Sequence, residues 1–154
     1  MDGALKPEPT LYETDFYAWT RAQVAALSEG RAGDLDWAAL AEEIEDLGNE
    51  KPREIRSRLE VLLLHLLKWA YQGEKRKGGW EASIIVQRNE IDDVIESSPS
   101  LRREPALRLA KAYTRARRRA AAETGLPLRT FPEDCPFALD DVMRDEWLPD
   151  AVTD

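Results

Sequence analysis

Cysteine and histidine are almost absent from this chain of 154 residues, which contains one of each, Cys135 and His65. A single cysteine cannot form an intramolecular disulfide and cannot build a cysteine zinc site. Carboxylate-bridged di-metal sites in helical bundles use Glu-x-x-His pairs. No acidic residue stands three positions from His65, because Leu62 and Lys68 occupy those places. We therefore expect neither a metal nor another cofactor.

The common catalytic and membrane-spanning patterns are also missing. The sequence contains no phosphate-binding loop, no G-x-G-x-x-G, no G-x-S-x-G and no H-E-x-x-H. Its best apolar run, Val61–Leu67, is interrupted by His65 and followed by Lys68, so it is too short for a membrane span. The first ten residues are polar and lack a signal-peptide pattern. These observations favour a cytoplasmic protein that is not an enzyme and has no membrane partner.

Alternating apolar residues, the pattern of strands, are absent, and apolar residues recur at helical spacing instead. We predict an all-α fold, a compact bundle of five or six helices around a central hydrophobic helix at about 52–72. Gly48 and Pro52 are expected to separate that helix from the one before it. The expected organisation is a frayed leader at 1–11, one domain at 12–149 and a flexible tail at 150–154. The predicted helices cover about 15–29, 36–47, 52–72, 80–96, 101–124 and 139–147.

Charge is segregated along the chain, which carries 22 basic and 30 acidic residues and a net charge of −8. This balance argues against a nucleic-acid binder that uses its whole surface. The second predicted helix has an apolar face and a solvated acidic face with Glu42, Glu45 and Asp46. By contrast, the segment 102–119 has eight basic residues and one acidic residue. Oppositely charged helices of this kind can steer and orient a protein partner.

Several strings, in order, carry a resemblance to a known family: DFYAWT, LAEEIEDLG, LLLHLLKWAYQ, SPSL, ETGLP and FPEDCPF. Together they resemble a bacterial all-helical domain family, number twenty-nine in the series of domains of unknown function. The resemblance covers roughly residues 12–149. It implies a compact helical fold, and it implies no established activity and no catalytic residues.

A candidate buried polar network consists of Glu43, His65 and Arg88. Glu43 flanks the apolar face of the second helix, and Arg88 lies one turn from Ile84 on the core side of the fourth. We expect His65 to be structural, buried and held by a neighbouring helix, because buried polar groups are normally paired. The enzyme alternative uses His65 with a nearby carboxylate in a pocket between helices.

A candidate partner surface lies on the fifth helix. Its members are Arg108, Lys111, Arg115, Arg118 and Arg119. Weak nucleic-acid binding through this basic face is a second alternative, because cationic helices attract phosphate backbones. The preferred hypothesis is a small cytoplasmic interaction or adaptor protein with a protein partner. The oligomeric state stays open.

Overall fold

Six α-helices make up most of residues 7–153, the part of the chain described by this computed structural model. No strand occurs in that range, so the prediction of an all-α fold is confirmed. Short 3₁₀ turns lie at Ala32–Asp34, Gly73–Lys75, Pro99–Leu101 and Leu128–Thr130. The helices are α1 (Leu11–Thr14), α2 (Phe16–Ser28), α3 (Trp37–Tyr71), α4 (Gly78–Ser97), α5 (Glu104–Thr124) and α6 (Leu139–Met143).

Helix α3 is continuous through Gly48 and Pro52, so the prediction of two separate helices there is wrong. A proline inside a helix removes one N–H donor, and its ring meets the carbonyl of the residue four positions earlier. Here that earlier residue is Gly48, which has no side chain, and apart from its chain neighbours and the adjacent backbone of α3 no atom lies within 4 Å of where a Cβ would be. Strong helix formers on both sides of the proline also favour continuation.

The chain divides into two compact units, residues 1–48 and 49–154, and the division falls within α3. Gly48 and Pro52 therefore mark the boundary between units, although they do not end the helix. The expectation of one domain over 12–149 stays a prediction, because two compact units can belong to one domain.

The first unit is a helical hairpin made by α2 and the beginning of α3. The hydroxyl of Tyr12, just before α2, donates to Glu43 Oε1 over 2.6 Å. Farther along α2, Gln23 accepts from the amide of Asp36 over 2.8 Å and donates to the carbonyl of Asp34 over 3.3 Å. The chain just before α2 thus contacts α3 at Glu43, and the later part of α2 contacts the residues that lead into α3, so the two helices run antiparallel.

The second unit is organised around the rest of α3. Seven of its apolar side chains, from Ile55 to Leu67, are almost completely buried. They pack with Ile84 and Ile91 of α4, with the small residues and Tyr113 of α5, and with later apolar residues. The prediction of a central hydrophobic helix is confirmed.

The boundaries of the helices and of the terminal segments agree only in part with those predicted from the sequence. Gly125 ends α5 in the left-handed conformation, with φ of 73°, directly after the predicted last helical residue 124. Helix α6 ends at Met143, earlier than the predicted residue 147. Residues 1–6 of the predicted leader lie outside the described part. Leu11, the last residue of the predicted leader, is the first residue of α1. In the predicted tail the amide of Val152 donates to the carbonyl of Ala70 over 2.8 Å, whereas residue 154 lies outside the described part.

Candidate interaction groove

The first unit carries an open apolar groove between α2 and α3, with a volume of about 280 Å³. We call it the hairpin groove. Apolar residues recur every three or four positions along both helices, and this spacing places them on one face of each helix. The groove is lined by Phe16, Trp19, Thr20, Gln23, Val24, Leu27, Leu40, Glu43, Ile44 and Leu47.

Large apolar side chains of the hairpin groove are exposed to an unusual degree. Ile44 is 68% exposed, Leu47 65% and Leu27 55%, and Phe16 and Val24 are each about half exposed. Single exposed apolar residues are common on proteins and need no explanation. Several of them gathered in one groove are typical of an interaction site.

An aromatic cluster packs at one end of the groove. The ring of Tyr12 lies 4.7 Å from that of Trp19, and the rings of Phe16 and Trp19 stack 5.7 Å apart. Trp19 is only 5% exposed, and its indole N–H has no acceptor among the described residues. Rigid aromatic residues of this kind contribute strongly to binding at protein interfaces.

Among the described residues, Glu43 is the one charged member of this mostly apolar lining. It is half-buried, and its Oε1 accepts the hydrogen bond from Tyr12. This hydrogen bond, together with burial and the charges of Glu42, Glu43 and Asp46, raises the pKa of Tyr12 to about 12. The charges of these three carboxylates make the electrostatic potential beside the groove negative.

The negative charge of the chain belongs to the first unit. Residues 1–48 contain eleven acidic and three basic side chains, whereas residues 49–154 contain nineteen of each. The acidic face predicted for Glu42, Glu45 and Asp46 is exposed to solvent on α3. The hairpin groove therefore lies on a strongly acidic unit, and the second unit is neutral overall.

The three members of the candidate polar network each have a different partner. Glu43 is bonded to Tyr12. His65 is half-buried, and its Nδ1–H donates to the carbonyl of Val61 over 2.8 Å, one turn earlier in the same helix. The expectations of burial and of a partner on a neighbouring helix are therefore both wrong, because the ring is only half-buried and α3 itself supplies the acceptor. This bond also fixes the neutral ring as the Nδ1–H tautomer.

Arg88, the third member, is buried and bonded to main-chain carbonyls. Its Nε donates to the carbonyl of Val142, and one Nη donates to that of Trp147, both over 2.8 Å. In a sequence, only carboxylate side chains can be recognised as candidate partners of an arginine. The main-chain acceptors of Arg88 could therefore not be identified from the sequence.

Two of the five cations of the candidate partner surface are in intramolecular ion pairs. Arg108 pairs with Glu104 over 2.8 Å within α5. Arg119 pairs with Glu60 of α3 over 3.3 Å and with Glu123 over 3.5 Å. The other three are exposed and have no ion pair within residues 7–153: Lys111, Arg115 and Arg118.

A larger cleft of about 980 Å³ lies in the second unit, between the end of α3 and the last residues of the chain. Lys75, Arg76 and Arg129 contribute to its lining. The Arg76 guanidinium stacks 4.7 Å from the Trp69 ring, and its Nε donates to the Trp69 carbonyl. His65 lines neither this cleft nor the hairpin groove.

Two kinds of site are absent from the described residues. No group of three or more histidine, cysteine, aspartate or glutamate residues there is arranged to hold a metal ion. Over the same residues, no helix combines the length and the apolar character needed to cross a bilayer.

Comparison with known proteins identifies a family. Searches of curated proteins and of solved structures returned no match. The family model described as "Domain of unknown function DUF29" matches residues 11–148, which include α1 to α6 and parts of both units. The match confirms the resemblance seen in the sequence. The chain therefore belongs to the family of domains of unknown function DUF29.

Proposed function

We propose that this protein is a cytoplasmic adaptor that binds an amphipathic helix of a partner protein in its hairpin groove. The observation that carries the proposal is the exposure of Phe16, Val24, Leu27, Ile44 and Leu47 along one groove. Recognition of an amphipathic helix in an apolar groove is a recurrent mode of peptide binding.

The length of the groove suits a short helix. Its lining extends along α2 from Phe16 to Leu27 and along α3 from Leu40 to Leu47. At 1.5 Å per residue, the lining on α2 is about 16 Å long, which equals about three turns of a helix. An occupant with apolar residues at i, i+3 or i+4, i+7 and i+11 matches that length.

The available apolar surface supports binding of moderate strength. Full burial of a large apolar side chain contributes roughly 1.5–3 kcal/mol. The five exposed side chains of the groove are about half to two-thirds exposed, so covering them supplies roughly 4–9 kcal/mol. Association costs at least about 4 kcal/mol, and the partner buries apolar surface of its own. We expect a dissociation constant of about micromolar.

A second copy of the chain is a poor occupant for electrostatic reasons. Two hairpin grooves packed face to face would bring together two units that each carry a net charge of −8. Repulsion between such like-charged surfaces opposes the gain from apolar burial. This charge favours a different protein as the partner.

Site-specific cross-linking tests the proposal. A photoreactive phenylalanine analogue replaces Phe16 in the groove, and the same analogue replaces Leu107 on α5, which is 71% exposed, as a control. We expect a partner to be cross-linked from position 16 and not from position 107. The partner is then identified by mass spectrometry and purified.

Calorimetry with the purified partner completes the test. Ile44→Glu should weaken binding at least tenfold, whereas Leu107→Glu, at a site of similar exposure, should leave the affinity unchanged. Both variants should melt near the wild-type temperature, because their side chains point to solvent. If Ile44→Glu binds the partner as tightly as wild type, the groove is not the binding site.

A further inference from the structure

We infer that the helix bound in the hairpin groove is cationic: an amphipathic segment of about three turns with lysine or arginine beside its apolar face. This inference rests on the proposed function and adds the chemistry of the partner. It is carried by the position of Glu43 in the groove and by the concentration of acidic residues in the same unit.

Glu43 provides the specific contact for a cation. One of its oxygens accepts the Tyr12 hydroxyl, and a carboxylate has about four acceptor sites in total. The residue is half-buried and lines the groove, so a lysine or arginine of an occupant would meet it away from bulk water. Charge-assisted hydrogen bonds are about twice as strong as neutral ones.

The other acidic residues act at longer range. Glu42, Glu45 and Asp46 lie on the same helix as Glu43 but are exposed, turned away from the groove. A helix with its side chains is about 10–12 Å across. The Debye length at physiological salt is about 8 Å. The width of the helix exceeds one Debye length, so their field is largely screened at physiological salt. At low salt it reaches a ligand in the groove, where it should raise the association rate and make binding sensitive to salt.

Three synthetic peptides of about 18 residues, each labelled with a fluorophore, provide the test. The cationic peptide has leucine at i, i+3, i+4, i+7 and i+11 and lysine on its polar face. The anionic peptide keeps the leucines and replaces each lysine by glutamate. The scrambled peptide has the composition of the cationic one without its helical apolar face. Each is titrated against the full chain by fluorescence anisotropy at low and physiological salt.

We expect the cationic peptide to bind at least tenfold more tightly than the other two, and more weakly at higher salt. Ile44→Glu should abolish this binding. Glu43→Gln should weaken it about threefold, since glutamine still accepts the Tyr12 hydroxyl but carries no charge. The control Glu81→Gln removes one exposed carboxylate on α4 and should have no effect.

The outcomes separate the inference from the proposed function. Equal binding of the cationic and anionic peptides would overturn the inference and leave the groove as a helix-binding site. Equal binding of the cationic and scrambled peptides, or no binding of any peptide, would also overturn the inference. Cross-linking from position 16 would then decide separately whether the groove binds a partner protein. A dimer seen in sedimentation equilibrium and lost in Ile44→Glu would make a second copy the occupant and overturn both.

Discussion

Replacement of Arg88 tests how α4 holds the segment that contains α6. The side chain is only 2% exposed, and its two hydrogen bonds reach the carbonyls of Val142 and Trp147. No carboxylate lies within ion-pair distance of it in residues 7–153. Burial lowers the pKa of its guanidinium, and the charge of Asp145 opposes that shift. Arg88 therefore holds the segment from Val142 to Trp147 against α4 through two hydrogen bonds to its main chain, and we call this arrangement the clamp.

The size of the effect follows from these bonds. A hydrogen bond to a charged group contributes about 1.5–3 kcal/mol, so the two together contribute roughly 3–6 kcal/mol. Arg88→Met removes both bonds, and removal of a buried charge returns roughly 1–2 kcal/mol. We expect a net loss of about 1–5 kcal/mol in the free energy of unfolding. For a chain of this size, each kcal/mol lowers the melting temperature by about 2–4 °C.

Urea unfolding of purified variants measures this loss. Arg88→Lys should lose at least as much stability as Arg88→Met, because lysine keeps a buried charge and lacks the planar fork that reaches two carbonyls. Arg144→Met is the control, since Arg144 is exposed and has one ion pair, with Asp141. It should lose less than about 1 kcal/mol. A methionine variant at position 88 as stable as wild type would refute the clamp.

Three further predictions concern the second unit. Leu66→Ala should cost about 2–5 kcal/mol in urea unfolding, because Leu66 is completely buried, and a loss below about 1 kcal/mol would contradict the central position of α3. The hydrogen bond from Lys68 holds the pKa of Glu123 below its usual value, against the opposing effect of burial. The stability that this hydrogen bond provides is present above the ordinary glutamate pKa of about 4.3 and is lost as pH falls through the lowered value. Glu123→Gln should therefore flatten the plot of the urea midpoint against pH in that range. An unchanged plot would contradict the role of the Lys68–Glu123 hydrogen bond. Long-range ¹H–¹⁵N NMR of neutral His65 should show the Nδ1–H tautomer, because Val61 accepts that proton, and an Nε2–H ring would exclude the bond.

Local signals in the sequence predicted much of the fold. Glycine at position 125 ends α5 in the left-handed conformation that glycine adopts most readily. Pro105 lies in the first turn of α5, where its missing N–H has no partner to lose. Asp15 caps α2 by accepting from the amide of Ala18 over 2.9 Å. Each of these features depends on a few adjacent residues, so the sequence alone could predict them.

Features that depend on tertiary surroundings were not predictable in the same way. Pro52 normally begins or breaks a helix, yet α3 continues through it. The acceptors of Arg88 are main-chain carbonyls 54 and 59 residues away, and a carbonyl carries no sequence signal. For His65 the sequence suggested burial and a partner, and the partner proved to be the nearest helical carbonyl.

The hairpin groove shows why an apolar stripe does not by itself identify a core. The spacing of Leu40, Ile44 and Leu47 predicts one apolar face on a helix, and that face exists. Whether it is buried depends on the number of elements available to cover it. Among the described residues before Gly48, only α1, of four residues, and α2 are available to cover α3, and they bury Trp19 and Ala39 but leave Ile44 and Leu47 exposed. A hairpin with apolar stripes on both helices, and with only the four-residue α1 beside it in residues 7–48, leaves apolar surface exposed. That shortage of covering elements is the sequence signal that would have pointed to the groove.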